Sequence, residues 1–129
     1  MSGRVVHFEI PFDDGDRAQR FYREAFDWQL QSMPGMGYTL VSTGPNGEQG
    51  PSEPGVINGG MMSRTDSPSH APVLVVEVEG IDKALTRIGE LGGTVLVPRQ
   101  PVGEMGFAAY VRDPEGNVIG LWETATPAA

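Results

Sequence analysis

His7 and Glu9 are the first residues in this chain whose types and spacing suggest chemistry. They stand in Val5-Val6-His7-Phe8-Glu9-Ile10, which alternates as a β-strand does. Val6, Phe8, Ile10 and Phe12 share one face, and His7 and Glu9 share the other. An imidazole titrating near neutral pH can serve as base, metal ligand or hydrogen-bonding group. A polar pair opposite an apolar row marks the wall of a polar cleft. Glu123 closes the last strand and reads as a ligand, a general base or a rim carboxylate. His70 lies in a Ser/Pro-rich linker and reads as solvated loop. Trp28, Tyr38, Phe107 and Tyr110 are either packing residues or the lining a flat, apolar molecule would need. Met33, Met36, Met61 and Met62 flank the same strands and suit an adaptable apolar wall.

Composition narrows the chemistry. The 129 residues carry a formal charge of -8, with no Lys/Arg cluster, which argues against nucleic acid as a partner. No cysteine is present, so disulfides, zinc-thiolate sites and cysteine nucleophiles are excluded. No nucleophile motif, phosphate loop or dinucleotide fingerprint occurs. No apolar run approaches a membrane span and no signal-like segment leads the chain, which predicts a soluble, cytoplasmic protein without a membrane partner.

The elements that position these residues follow in order. Residues 4–12 predict a strand and residues 15–26 a helix, capped by Asp13 or Asp14, with Ala18, Phe21, Tyr22 and Ala25 as its inward stripe. Residues 28–33 and 38–43 predict a hairpin around Pro34-Gly35-Met36-Gly37. Residues 44–56 read as a long structureless loop, a flap or an excursion. Residues 56–62 predict a strand whose Gly59-Gly60 pair hints at a bulge or a close backbone approach. After the linker at 63–71 come a strand at 73–79, a helix at 81–91 stopped by Gly92-Gly93, and strands at 94–97, 107–112 and 118–123. The Asp113-Pro114-Glu115-Gly116-Asn117 turn is accounted for by hairpin geometry alone.

The two halves overlay without gaps. Ala18 falls on Ala84, Asp16 on Asp82, Ile10 on Val76 and His7 on Val73, so the apolar rows coincide. Glu77 falls on Pro11, which leaves Glu9 and Glu77 out of step for paired-carboxylate catalysis. The fold class is α+β: two tandem βαβββ modules, about 4–63 and 72–124, forming a cupped mixed sheet around a cleft. A disordered tail follows at 125–129. The chain reads as a single domain, with His7, Glu9, Val73, Val75 and Glu77 facing the cleft.

The His7 strand, Phe21-Tyr22, the Asp113–Asn117 turn and the terminal Leu121-Trp122-Glu123 together resemble the vicinal oxygen chelate superfamily. That group includes glyoxalase I, bleomycin-resistance proteins, extradiol dioxygenases and fosfomycin-modifying enzymes, and the resemblance spans about residues 4–124. It implies a metal-ligand position at His7 in the first strand and another at Glu123 in the last. The remaining two fall on Val73 and near Gly59-Gly60, which offer no side-chain ligand. The resemblance thus implies a small-molecule-binding protein of the glyoxalase/bleomycin-resistance type without a complete metal site, and no cofactor. Its ligand cleft would be lined by His7, Glu9, Trp28, Tyr38, Phe107, Tyr110 and Glu123. The alternative is a divalent-metal-dependent lyase, isomerase or dioxygenase with His7 and Glu123 on the ion. A homodimer is also implied, with modules from two chains completing the cup.

Overall fold

The structure is a computed structural model that describes residues 3–48 and 50–125. In chain order its elements are β1 (Val5–Phe12), α1 (Gly15–Phe26), β2 (Gln29–Met33), β3 (Tyr38–Ser42), β4 (Asn46–Gly47), β5 (Gly50–Pro51) and β6 (Gly59–Ser63). Then come β7 (Val73–Glu77), α2 (Ile81–Glu90), β8 (Thr94–Val102), β9 (Gly106–Arg112) and β10 (Val118–Thr124). The fold is α+β, with two helices, eight strands in mixed sheet pairing, four in each of two units, and β4 paired with β5 apart from them. The chain divides into two compact units, residues 7–72 and residues 3–6 with 73–125. No helix among the described residues is long and apolar enough to cross a membrane.

In the unit of residues 7–72 the strand order is β2-β3-β6-β1. β1 pairs with β6 in parallel, Phe8 beside Gly59 and Ile10 beside Met61, and β3 pairs with β6 antiparallel, Val41 beside Gly59. These registers put Phe8, Ile10, Phe12, Thr39, Val41 and Met61 on one face, where Val41 and Met61 are fully buried. Helix α1 covers that face, and Gln19 donates to the Thr39 hydroxyl at 3.3 Å. Asp14 caps α1 by accepting from the Arg17 N–H, and Asp27 ends it in the left-handed region at φ 59°.

The inward stripe of α1 differs from the predicted one. Gly15, Ala18, Gln19 and Tyr22 are partly buried, whereas Phe21 is 58% exposed and Ala25 is also exposed. Tyr22 stacks on Trp28 at 5.0 Å with the rings nearly parallel, and Trp28 also meets Phe8 and Phe26. The stripe is turned because the chain reverses at Asp27 and brings Trp28 back against Tyr22 rather than against Phe21. The predicted structureless loop holds the β4–β5 pair instead. Side-chain bonds from Asn58 to Asn46 and from Asn46 to Ser42, both 2.7 Å, tie it to the sheet.

In the other unit the order is β7-β10-β9-β8, with β10 parallel to β7 and antiparallel to β9. Ile81, Ala109, Val111 and Leu121 form its buried centre, packed by Val76, Ala84, Leu85, Ile88, Phe107 and Ile119. All the strand members of that cluster share the face under α2. Val73, Val75, Ala108, Tyr110, Gly120 and Trp122 share the other. The Asp113 carboxylate organises the turn by accepting from the Glu115 and Asn117 N–H groups at 2.8 and 2.9 Å. Those bonds, the Asn117 backbone first, hold its carboxyl below the usual range. β8 runs five residues past the predicted end at Val97, with register shifts against β9 between Val95 and Gln100. Its Pro98 and Pro101 fit its place at the edge of this order. Ala125, predicted to begin the tail, donates to the Met105 carbonyl; residues 126–129 lie outside the described residues.

Candidate functional site

On the helix-free face of the unit of residues 7–72, β1 presents His7, Glu9 and Pro11. Its register sets Glu9 beside Gly60, while β3 sets Tyr38 beside Met62 and Leu40 beside Gly60. Gly60 decides what happens there. A Cβ at this position would run into the Tyr38 ring and hydroxyl, so the missing side chain is the space Tyr38 fills. The neighbouring Gly59 is filled from the opposite face by the Phe8 ring. The glycine pair is therefore a close approach from both sides and belongs to regular β6 pairing, with no bulge.

With that space open, the Tyr38 hydroxyl lies 2.8 Å from His7 Nε2 and donates to Glu9 Oε2 at a longer 3.4 Å. Glu9 is 6% exposed, and Met62 beside Tyr38 is equally buried. Burial, then the Glu9 charge and its hydrogen bond, push the Tyr38 phenol far above its ordinary range, so it keeps its proton. Burial lowers the His7 pKa, which favours the neutral ring near pH 7. Three predicted site residues thus come together as a polar group framed by Pro11, Met62, Leu40 and Met33.

The other predicted site residues are placed differently. Trp28 belongs to the aromatic stack under α1, on the opposite side of the sheet from His7. Phe107 lies on the α2 face of its own unit, with the Arg99 guanidinium 3.5 Å over its ring. Tyr110 stands on the helix-free face of that unit, its ring close over Gly120. His70 is exposed in the linker, as predicted.

Glu123 needs correction as a cleft residue. Strand alternation groups it with Leu121 and Ile119, and those are the residues packed under α2. Its carboxylate accepts from the Ile81 N–H at 2.8 Å and meets Arg99 through two bonds of 3.2 and 2.9 Å. Arg99 and then the Ile81 N–H hold the Glu123 carboxyl below the usual range. The N-cap residue of α2 is Gly80, which has no side chain to cap with, so Glu123 supplies the cap from β10. Arg99 is the residue that sequence reasoning missed. It lies two residues past the predicted strand end at Val97, and only the extension of β8 brings it to Glu123.

A surface hollow of about 670 Å³ lined by Asp16, Arg17, Arg20, Phe21, Glu24 and Ala25 lies on the outer side of α1. It is across the sheet and helix from His7 and contains none of the three grouped residues.

Residues 4–44 match a family model described as bleomycin resistance protein-like N-terminal. CFP32 of Mycobacterium bovis, named as a candidate glyoxylase, is 26% identical over 124 residues, 89% of this chain and 43% of its own length. A hypothetical protein from Bacillus halodurans C-125 superposes with a TM-score of 0.67 at 14% identity, covering 100% of this chain and 99% of that one. A variant of Streptomyces coelicolor methylmalonyl-CoA epimerase, in complex with 2-nitronate-propionyl-CoA, gives 0.64 at 18% identity with the same coverage. The fold is that of these solved structures, and residues 4–44 are similar to the bleomycin resistance protein-like N-terminal family. The likeness in sequence is to a bleomycin-resistance-like N-terminal segment and to a glyoxylase-like relative. The chain spans less than half the length of the mycobacterial relatives it matches.

The vicinal oxygen chelate resemblance calls for metal ligands, and the residues at those positions do not fit an ion. His7 Nε2 is engaged by the Tyr38 hydroxyl, and Tyr38 fills the space a ligand at Gly60 would need. Val73 is apolar, and Glu123 is held by Arg99 and the α2 N-terminus. On β10 the residues that share a face with Val73 and Val75 are Val118, Gly120 and Trp122, none of which carries a metal-binding side chain. Among the described residues no group of three or more His, Asp or Glu is placed to hold an ion.

Proposed function

We propose that the chain is a small-molecule-binding protein of the glyoxalase/bleomycin-resistance type, which holds an apolar or aromatic ligand against the helix-free face of residues 7–72. The observation that carries this proposal is the bonded group of His7, Tyr38 and Glu9 beside Gly60. A few convergent polar groups within an apolar surround are what orient a small ligand. Met62, Met33, Leu40 and Pro11 supply the surround, and the methionines adapt to irregular shapes. No metal has a part in this function. The homodimer implied by the superfamily resemblance belongs to the same proposal, and light scattering on the eluting protein should give twice the chain mass.

Calorimetric titration with small aromatic fragments, indole among them, is the test. Wild type should bind, and His7→Ala should weaken binding about tenfold, as expected on losing a buried polar anchor. Equal affinity in the variant would place the ligand elsewhere. Stoichiometric Zn²⁺, Ni²⁺, Mn²⁺ or Fe²⁺ that disappears in His7→Ala would overturn the metal-free proposal outright.

A further inference from the structure

We infer that this site selects ligands that donate a hydrogen bond, an aromatic N–H or O–H, to Nδ1 of His7. The inference rests on the binding proposal above and names the class of molecule the site takes.

The placement of protons leads to it. Tyr38 has one hydroxyl proton, and its hydroxyl is within bonding distance of both Glu9 Oε2 and His7 Nε2. With Glu9 ionised its carboxylate only accepts, and the Tyr38 proton is assigned to it. The 2.8 Å contact to His7 then needs a proton from the ring, and Nε2 carries it. A neutral imidazole with its proton on Nε2 has its lone pair on Nδ1, where it can only accept. Both other members of the group are thereby committed, and the open end of the chain is an acceptor.

That open end is also reachable. Among the described residues His7 makes one side-chain hydrogen bond, through Nε2. No buried side-chain nitrogen or oxygen among the described residues lacks a partner. Nδ1, which has none among the described residues, is therefore not fully enclosed by them. A ligand that covers this face without donating would strip water from Nδ1 and give nothing back. A donor on an apolar ring replaces that water and keeps the ring against Met62 and Leu40, which share the face.

Two matched pairs of probes separate donors from non-donors: indole against 1-methylindole, and phenol against anisole. Calorimetry on wild type should favour the donor in each pair by about fivefold to tenfold, the size of one hydrogen bond in a partly buried site. Tyr38→Phe keeps the ring over Gly60 but removes the hydroxyl that fixes the tautomer, so the preference should shrink towards unity. Its fold is checked by circular dichroism. Equal affinity within each pair for wild type, with binding still weakened by His7→Ala, would overturn the donor inference and leave the binding proposal standing. Failure of all four probes to bind wild type would overturn both. A preference that survives unchanged in Tyr38→Phe would overturn the role given to Tyr38.

Discussion

Gly60→Ala is expected to destabilise the protein by about 1–3 kcal/mol, the usual range for a methyl forced into filled space. No left-handed backbone is at stake at Gly60, so the cost is steric. The added Cβ meets the Tyr38 ring and hydroxyl. Tyr38 would have to swing off β6, giving up its contacts with His7 and Glu9. The loss is therefore coupled to one side chain, and a double-mutant cycle reads it. In a Tyr38→Ala background the same Gly60→Ala change should cost little, because the space is already empty. Urea denaturation of the four proteins measures the coupling. Losses that add within about 0.5 kcal/mol would mean that Tyr38 is not what fills the site.

Glu123→Ala is expected to cost about 1–2 kcal/mol, the range for removing a helix N-cap. Here the cap comes from another strand, and it also fixes Arg99 over Phe107. The same carboxylate gives a pH signature. Its folded pKa lies below the ordinary 4.5, so the unfolded chain takes up the proton first. The stabilisation is fully present above about pH 4.5 and fades as pH falls through the lower folded value. Wild type and Glu123→Gln should thus differ in thermal midpoint at pH 7, and the gap should narrow as pH falls below 4.5. A gap that stays constant down to pH 2 would assign the effect to packing. Expected in both variants is an unchanged response to indole, because Glu123 lies under α2 and outside the His7 group.

These two sites show what the sequence could reveal. Alternation in β1 was legible, since its apolar row lies under a helix in a way that a period of two announces. The same rule put Glu123 in phase with Leu121 and Ile119, so its place under α2 could have been read from the apolar row it continues. What hid it was the appeal of a carboxylate at a strand end. The inward stripe of α1 was less accessible. Phe21 and Tyr22 are equally good apolar candidates, and only the left-handed turn at Asp27, which returns Trp28 to Tyr22, selects between them. Gly59 and Gly60 announced a close approach, but not which rings approach, because Phe8 and Tyr38 come from strands paired only in the folded chain. Arg99 had no local signal at all. Its importance arises where β8 is carried past Val97 to meet Glu123.

The central claim is that His7 is the open end of a hydrogen-bonded group that meets the ligand, and one measurement addresses it directly. A long-range ¹H–¹⁵N spectrum of the imidazole rings contains only His7 and His70, and His70→Ala assigns them. At pH 7 His7 should be neutral with its proton on Nε2, and adding indole should move its Nδ1 resonance while His70 stays still. A His7 ring protonated on Nδ1, or one unmoved by indole that calorimetry shows to be bound, would contradict the account.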